Sequence, residues 1–170
     1  MEKGDQDRFL AALKGLPRDR VEGIQREQSR KFFVELDRCH GSCVLKFGEA
    51  HGAVAEALEH FCGSRIWLGD YVVMPNHVHA IVQPYPGVKL EEWLYSVKRF
   101  SATQILKKFS QKARKRAGHL WQAESFDRVI RDLDELARTR DYIANNPRKL
   151  VAGTFVYRAK QWLDTEFARK

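Results

Sequence analysis

The chain has 170 residues, 44% of them hydrophobic, enough to bury one substantial core and so to form one domain with appendages. Its 30 Lys and Arg against 22 Asp and Glu leave a formal net charge of +8, a balance that favours a polyanionic partner. No apolar run approaches the length of a membrane span, and Glu2, Asp5 and Asp7 do not fit a secretory leader, so a cytoplasmic, nucleoid-associated protein with no membrane partner is expected.

Residues 1–28 are highly charged, with one short amphipathic stretch from Arg8 to Leu16 closed by Pro17, and read as an extension rather than a domain. A first strand is expected in Lys31 to Leu36 or in Ser42 to Phe47, although neither is rich in β-branched residues. A helix follows from Glu49 to Phe61. Strands at Arg65 to Val73 and His77 to Gln83 are joined by the turn Met74-Pro75-Asn76. Leu90, Trp93, Leu94, Val97, Ile105 and Leu106 recur at helical spacing and predict an amphipathic helix over Leu90 to Phe109. Gln111 to Gly118 is a polar, basic loop, and a strand is expected near Ser125 to Arg131. Asp132 with Glu135 three residues on resembles a capping box and starts a helix that runs to Asn146. Pro147 ends it, because the residue before a proline is pushed away from helical dihedrals. Residues 151–170 form a tail in which Gln161-Trp162-Leu163 is either a short helix on the body or a dimerisation element, which leaves a homodimer open. Strands mixed with helices around a hairpin imply an antiparallel α+β sandwich. Cys39, Cys43 and Cys62, an odd number, argue against a disulfide framework.

The most informative motif is His77-Val78-His79. Strand side chains alternate with period two, so both imidazoles point to one side and can converge on one divalent metal ion. Such a pair also occurs as a purely structural feature, and metal chemistry requires a third ligand and a reactive group. Both are available near residue 142, where Tyr142 and Asn146 lie four apart on one helix face. Charge is equally localised. From Trp93 to Ala123 there is no acidic residue, and Lys98, Arg99, Lys107, Lys108, Lys112, Arg114, Lys115 and Arg116 fall inside. A basic surface of this kind binds phosphates. Trp93, Tyr95 and Trp121 can stack on unpaired bases, although the apolar pattern around both tryptophans favours core packing.

Met74-Pro75-Asn76-His77-Val78-His79, then Trp121 through Arg131 with Phe126, Asp127 and Arg128, then Tyr142-Ile143 and Asn146-Pro147 together resemble the single-tyrosine HUH transposases. The likeness is to the REP-associated tyrosine transposases, domesticated relatives of small insertion-sequence transposases. It runs from about Phe33 to Leu150, within a domain placed at residues 29–150. It implies a ferredoxin-like antiparallel sheet with helices packed on it and the His pair on a central strand. It also implies that His77 and His79 are metal ligands, that Asn146 is the third, amide-type ligand and that Tyr142 is the nucleophile. The expected partner is single-stranded or hairpin DNA, cut and rejoined as in DNA transposition or recombination. Two imidazoles and an amide oxygen form a neutral, open set that suits Mg²⁺ or Mn²⁺. Attack by the tyrosine hydroxyl would give a 5′-phosphotyrosine and a free 3′-hydroxyl, keeping the phosphodiester energy for rejoining. No general base is identified, since Asp141 does not share the Tyr142 face. The alternatives are a hairpin-binding protein without chemistry and a metal-dependent nuclease that uses activated water.

Overall fold

The computed structural model describes residues 43–107, 120–123 and 125–160 continuously, with 15–17, 20–21, 23–24, 27, 31 and 34–36 before them. The chain separates into two compact units, Met1–His40 and Gly41–Lys170. In the first unit the described residues from 20 to 36 are helical, with the Val21 N–H donating to the Pro17 carbonyl at 3.1 Å. Lys31 and Glu27 pair one helical turn apart at 3.6 Å.

The second unit begins with a 3-10 turn, Val44–Lys46, entered through Cys43 at a left-handed φ of 42°. Helix α1 follows at Gly48–Glu59, then strands β1 at Ile66–Val73 and β2 at Val78–Pro84. Helix α2 spans Leu90–Lys107, helix α3 Leu133–Asn145, and strand β3 Val156–Arg158. The strands form one antiparallel sheet in the order β2-β1-β3. The fold is therefore α+β, a three-stranded antiparallel sheet with helices packed on it.

Each sheet face has its own core. Ile66, Leu68, Tyr71 and Val73 of β1 pack with Val54 and Leu58 of α1 and with Trp93, Val97 and Ile105 of α2. Val72 of β1 and Ile81 of β2 pack on the other side against Leu136 and Ile143 of α3, with Phe155 and Tyr157 beside them. Leu68 and Val72 have the same parity yet face opposite ways. The reason is a register shift between Leu68 and Tyr71, where the pairing passes from Leu68↔Val82 to Tyr71↔Ala80. One extra residue in β1 makes a β-bulge, which reverses the alternation beyond it. Asp70 and Val72 are thereby turned toward α3.

Three expectations from the sequence are corrected. Neither candidate first strand forms among the described residues, because Lys31 and 34–36 are helical and Val44–Lys46 is a 3-10 turn. Leu45 is instead a buried anchor whose N–H donates to the Pro75 carbonyl at 3.0 Å. The described residues from Ser125 to Arg131 form no strand. That segment is tied to α3 instead, by Arg128 and by the Arg131 N–H, both on the Glu135 carboxylate. Among the described strands β1 lies between β2, which carries His79, and β3. Finally, Asn146 keeps helical dihedrals (φ −54°, ψ −47°) in spite of Pro147, and the chain tightens into a 3-10 turn over Asn146–Lys149. Within the segment read as a tail, residues 156–158 supply β3.

Candidate active site

The β1–β2 connection delivers the two histidines. The Met74 N–H donates to the His77 carbonyl at 2.8 Å, closing the turn around Pro75 and Asn76. Val78, Ala80 and Val82 of β2 pack toward α1 and α2, so His79 and Ile81 face α3. His79 stands opposite Val72 in the ladder. His77, two residues earlier, falls on the same side, and the two Nε2 atoms lie 3.1 Å apart.

The opposite wall is α3. Asp132 takes an extended conformation and accepts the Glu135 N–H at 2.6 Å, the N-cap expected from the sequence. Glu135 reaches back to the N–H of Arg131 rather than to that of Asp132, so the capping box is displaced by one residue. Leu136 and Ile143 bury one stripe of α3 against the sheet. Tyr142, 37% exposed, projects beside that stripe. Its hydroxyl lies 3.5 Å from His79 Nε2 and its ring meets the imidazole edge-on at a centroid distance of 5.2 Å. Asn146 follows one turn later on the same face, its N–H donating to the Tyr142 carbonyl. The fold thus brings His77, His79 and Tyr142 together within one chain and sets Asn146 on the helix face that carries the tyrosine.

The electrostatics suit ligation. Burial pushes the His77 imidazole down to about 4. Burial, and then the neighbouring His77, push His79 down to about 3. Both rings are consequently neutral at pH 7, the state in which imidazole binds a metal. His77 Nδ1 lies 2.8 Å from Asn76 Oδ1. A carbonyl oxygen only accepts, so the proton sits on Nδ1 and the Nε2 lone pair of His77 is turned into the site.

The residues present fit a divalent ion on two observations. Two ligands at about 2.1 Å and adjacent in an octahedron stand about 3.0 Å apart, close to the 3.1 Å between the two Nε2 atoms. Among the described residues no group of three or more His, Cys, Asp or Glu that could hold a metal ion gathers. The Asn146 side-chain nitrogen is buried and has no hydrogen-bond partner among the described residues. Turning that amide over places there a carbonyl oxygen, an atom able to ligate a cation.

The basic residues divide. Arg99 and Lys107 lie exposed on α2. Lys98 is half-buried, and its ammonium donates to the carbonyls of Gln122 and Ala123 at 3.0 and 3.2 Å. Beside it the Trp121 indole N–H donates to the buried Ser101 hydroxyl at 3.0 Å. Residues 121–123 are in this way fastened back onto the middle of α2. Lys108, Lys112, Arg114, Lys115 and Arg116 lie outside the described residues. Trp93 is only 2% exposed, whereas Tyr95 is 64% exposed. Tyr71 is fully buried and donates its hydroxyl to Glu59 at 2.7 Å, and burial followed by that hydrogen bond drives its pKa up. Sequence reasoning missed the role of Asn76, the contact of Glu135 with Arg128 and the fastening role of Lys98, all of which depend on a partner's position.

No described helix is long and apolar enough to cross a membrane. Comparison with curated proteins and with solved structures gave no match. The family model described as IS200-like transposase matches residues 48–146, from the first turn of α1 to the asparagine that follows the tyrosine helix. That span is more than half of the chain and contains every element of the site. On this match and this geometry, the chain belongs to the IS200-like transposases.

Proposed function

We propose that the protein is a metal-dependent single-stranded DNA endonuclease and strand transferase that acts beside DNA hairpins through a 5′-phosphotyrosine intermediate. The observation that carries the reading is the approach of the Tyr142 hydroxyl to a pair of neutral, converging imidazoles. His77, His79 and the Asn146 amide are the residues that would hold Mg²⁺ or Mn²⁺. Such an ion, when bound, supplies Lewis-acid stabilisation of charge on the scissile phosphate.

The chain's own groups do the rest. The Tyr142 oxygen attacks phosphorus, a Tyr–O–P bond forms, and the bond from phosphorus to the 3′ oxygen breaks. The tyrosine proton is released, and the departing oxygen takes up a proton as a free 3′-hydroxyl. The reverse step, with a 3′-hydroxyl from another end, restores a phosphodiester without a nucleotide cofactor. The edge-on imidazole of His79 limits the swing of the tyrosine ring. Asn76 keeps the His77 lone pair facing inward. In-line attack on one phosphodiester in a fixed orientation favours a flexible single strand over a stiff duplex. The exposed cations of α2 would hold a neighbouring hairpin stem through its phosphates.

A labelled oligonucleotide with a hairpin and a single-stranded flank, incubated with Mg²⁺ or Mn²⁺ and run on a denaturing gel, tests this reading. The expected result is a metal-dependent covalent protein–DNA adduct, and little cutting of blunt duplex of the same sequence. Binding without cleavage would identify a recognition protein, and cleavage without an adduct a nuclease that uses water.

Two smaller results are expected. Asn76→Ala should weaken Mn²⁺ binding about 10–100-fold by isothermal titration, the usual cost of losing an outer-shell partner. Arg99→Ala and Lys107→Ala should each reduce the slope of log K against log salt for hairpin DNA by about 1. Lys98→Ala should leave that slope unchanged, because its ammonium is committed to two carbonyls.

A further inference from the structure

We propose that the Asp70–Arg140 ion pair is the positioning element that sets Tyr142 against the His pair. The inference rests on the reading of Tyr142 as nucleophile and names the residues that aim it.

Asp70 lies on β1, is 2% exposed, and faces α3 only because of the bulge between Leu68 and Tyr71. Bulges commonly re-aim a side chain next to an active site. Its Oδ2 accepts from Arg140 Nε at 3.0 Å. Its Oδ1 accepts from the Lys160 backbone N–H at 2.7 Å, just beyond β3. Arg140 also donates from Nη2 to the Lys160 carbonyl at 3.5 Å. One buried carboxylate therefore ties together the central strand, the tyrosine helix and the segment that leaves the third strand.

Arg140 is two residues from Tyr142 on α3, and Asp70 is two residues from Val72, the ladder partner of His79. The pair thus fixes α3 to the same stretch of sheet that carries the imidazole. The apolar contacts of Leu136 and Ile143 bury α3 but are non-directional, and they tolerate small slides and rotations. A charged hydrogen bond from a planar guanidinium specifies both height and rotation. The tyrosine oxygen must reach phosphorus in line, and a misplacement of about 1 Å can cost about 100-fold in rate.

The test uses the full chain labelled with 3-fluorotyrosine, with the Tyr142 resonance assigned from the Tyr142→Phe spectrum. Asp70→Asn is close to isosteric and removes the charge, Arg140→Met removes the donor, and Arg140→Lys restores a cation. Thermal unfolding first shows that each variant is folded at the assay temperature. In Asp70→Asn and Arg140→Met the Tyr142 fluorine line should shift or broaden while those of Tyr85 and Tyr95 stay in place. Adduct formation at saturating DNA should slow by about 10–100-fold with DNA affinity unchanged, and Arg140→Lys should recover part of the rate. An unmoved Tyr142 line with a wild-type adduct rate per folded molecule would overturn the proposal. If the wild-type protein forms no adduct, the nucleophile assignment fails, and the fluorine line alone still decides whether the pair holds Tyr142 in place.

Discussion

Tyr142→Phe is expected to form no covalent adduct with single-stranded DNA at any metal concentration, and to bind hairpin DNA within about threefold of wild type. The substitution removes one oxygen and keeps the ring that meets His79 edge-on, so volume and packing persist. Only the attacking atom is lost, and an interaction that exists only in the reacting complex lowers the rate without changing affinity. The 37% exposure of Tyr142 also means that little hydrophobic burial is at stake. Rate measurements on gels, paired with fluorescence anisotropy for binding, separate the two effects. Full cleavage by the variant would move attention to Tyr85 and Tyr95, since Tyr71 is buried and bonded to Glu59.

The second large effect is expected at the metal. His77→Ala and His79→Ala should each lower Mn²⁺ affinity by more than the about 10–100-fold that an outer-shell partner costs, and should remove most adduct formation. A set of two imidazoles and one amide has no spare ligand to compensate. Asn146→Ala should weaken binding as well, because the open set has no spare ligand. Isothermal titration of each folded variant with Mn²⁺ measures this. Wild-type affinity in either histidine variant would make the strand pair a structural feature.

Much of the site is visible in the amino-acid order because it depends on local periodicity. The spacing of His77 and His79 places both rings on one side of β2, and Asp132 caps α3 as its type and position imply. The amphipathic stripe of α2 buries Trp93, Val97 and Ile105 as its spacing requires. What is not visible depends on partners distant in the chain. The bulge in β1 is a mismatch between two strands, and neither strand encodes it alone. Asp70 and Arg140 are 70 residues apart, and either would pass for a solvated charge. Residues 156–158 are too short to announce themselves as a strand, and they form one because β1 offers a free edge. Lys98 reads as one more cation in a basic run until the carbonyls of residues 122 and 123 arrive beside it. Asn146 breaks a local rule, staying helical before a proline, and it does so at the position that the metal reading needs.

The most direct measurement is to isolate the covalent protein–DNA adduct, digest it and map the linkage by mass spectrometry. The expected result is a single peptide bearing a nucleotide 5′-phosphate on Tyr142, formed with Mg²⁺ or Mn²⁺ and absent after chelation. A linkage on another residue, or cleaved DNA with no linked peptide, would contradict it.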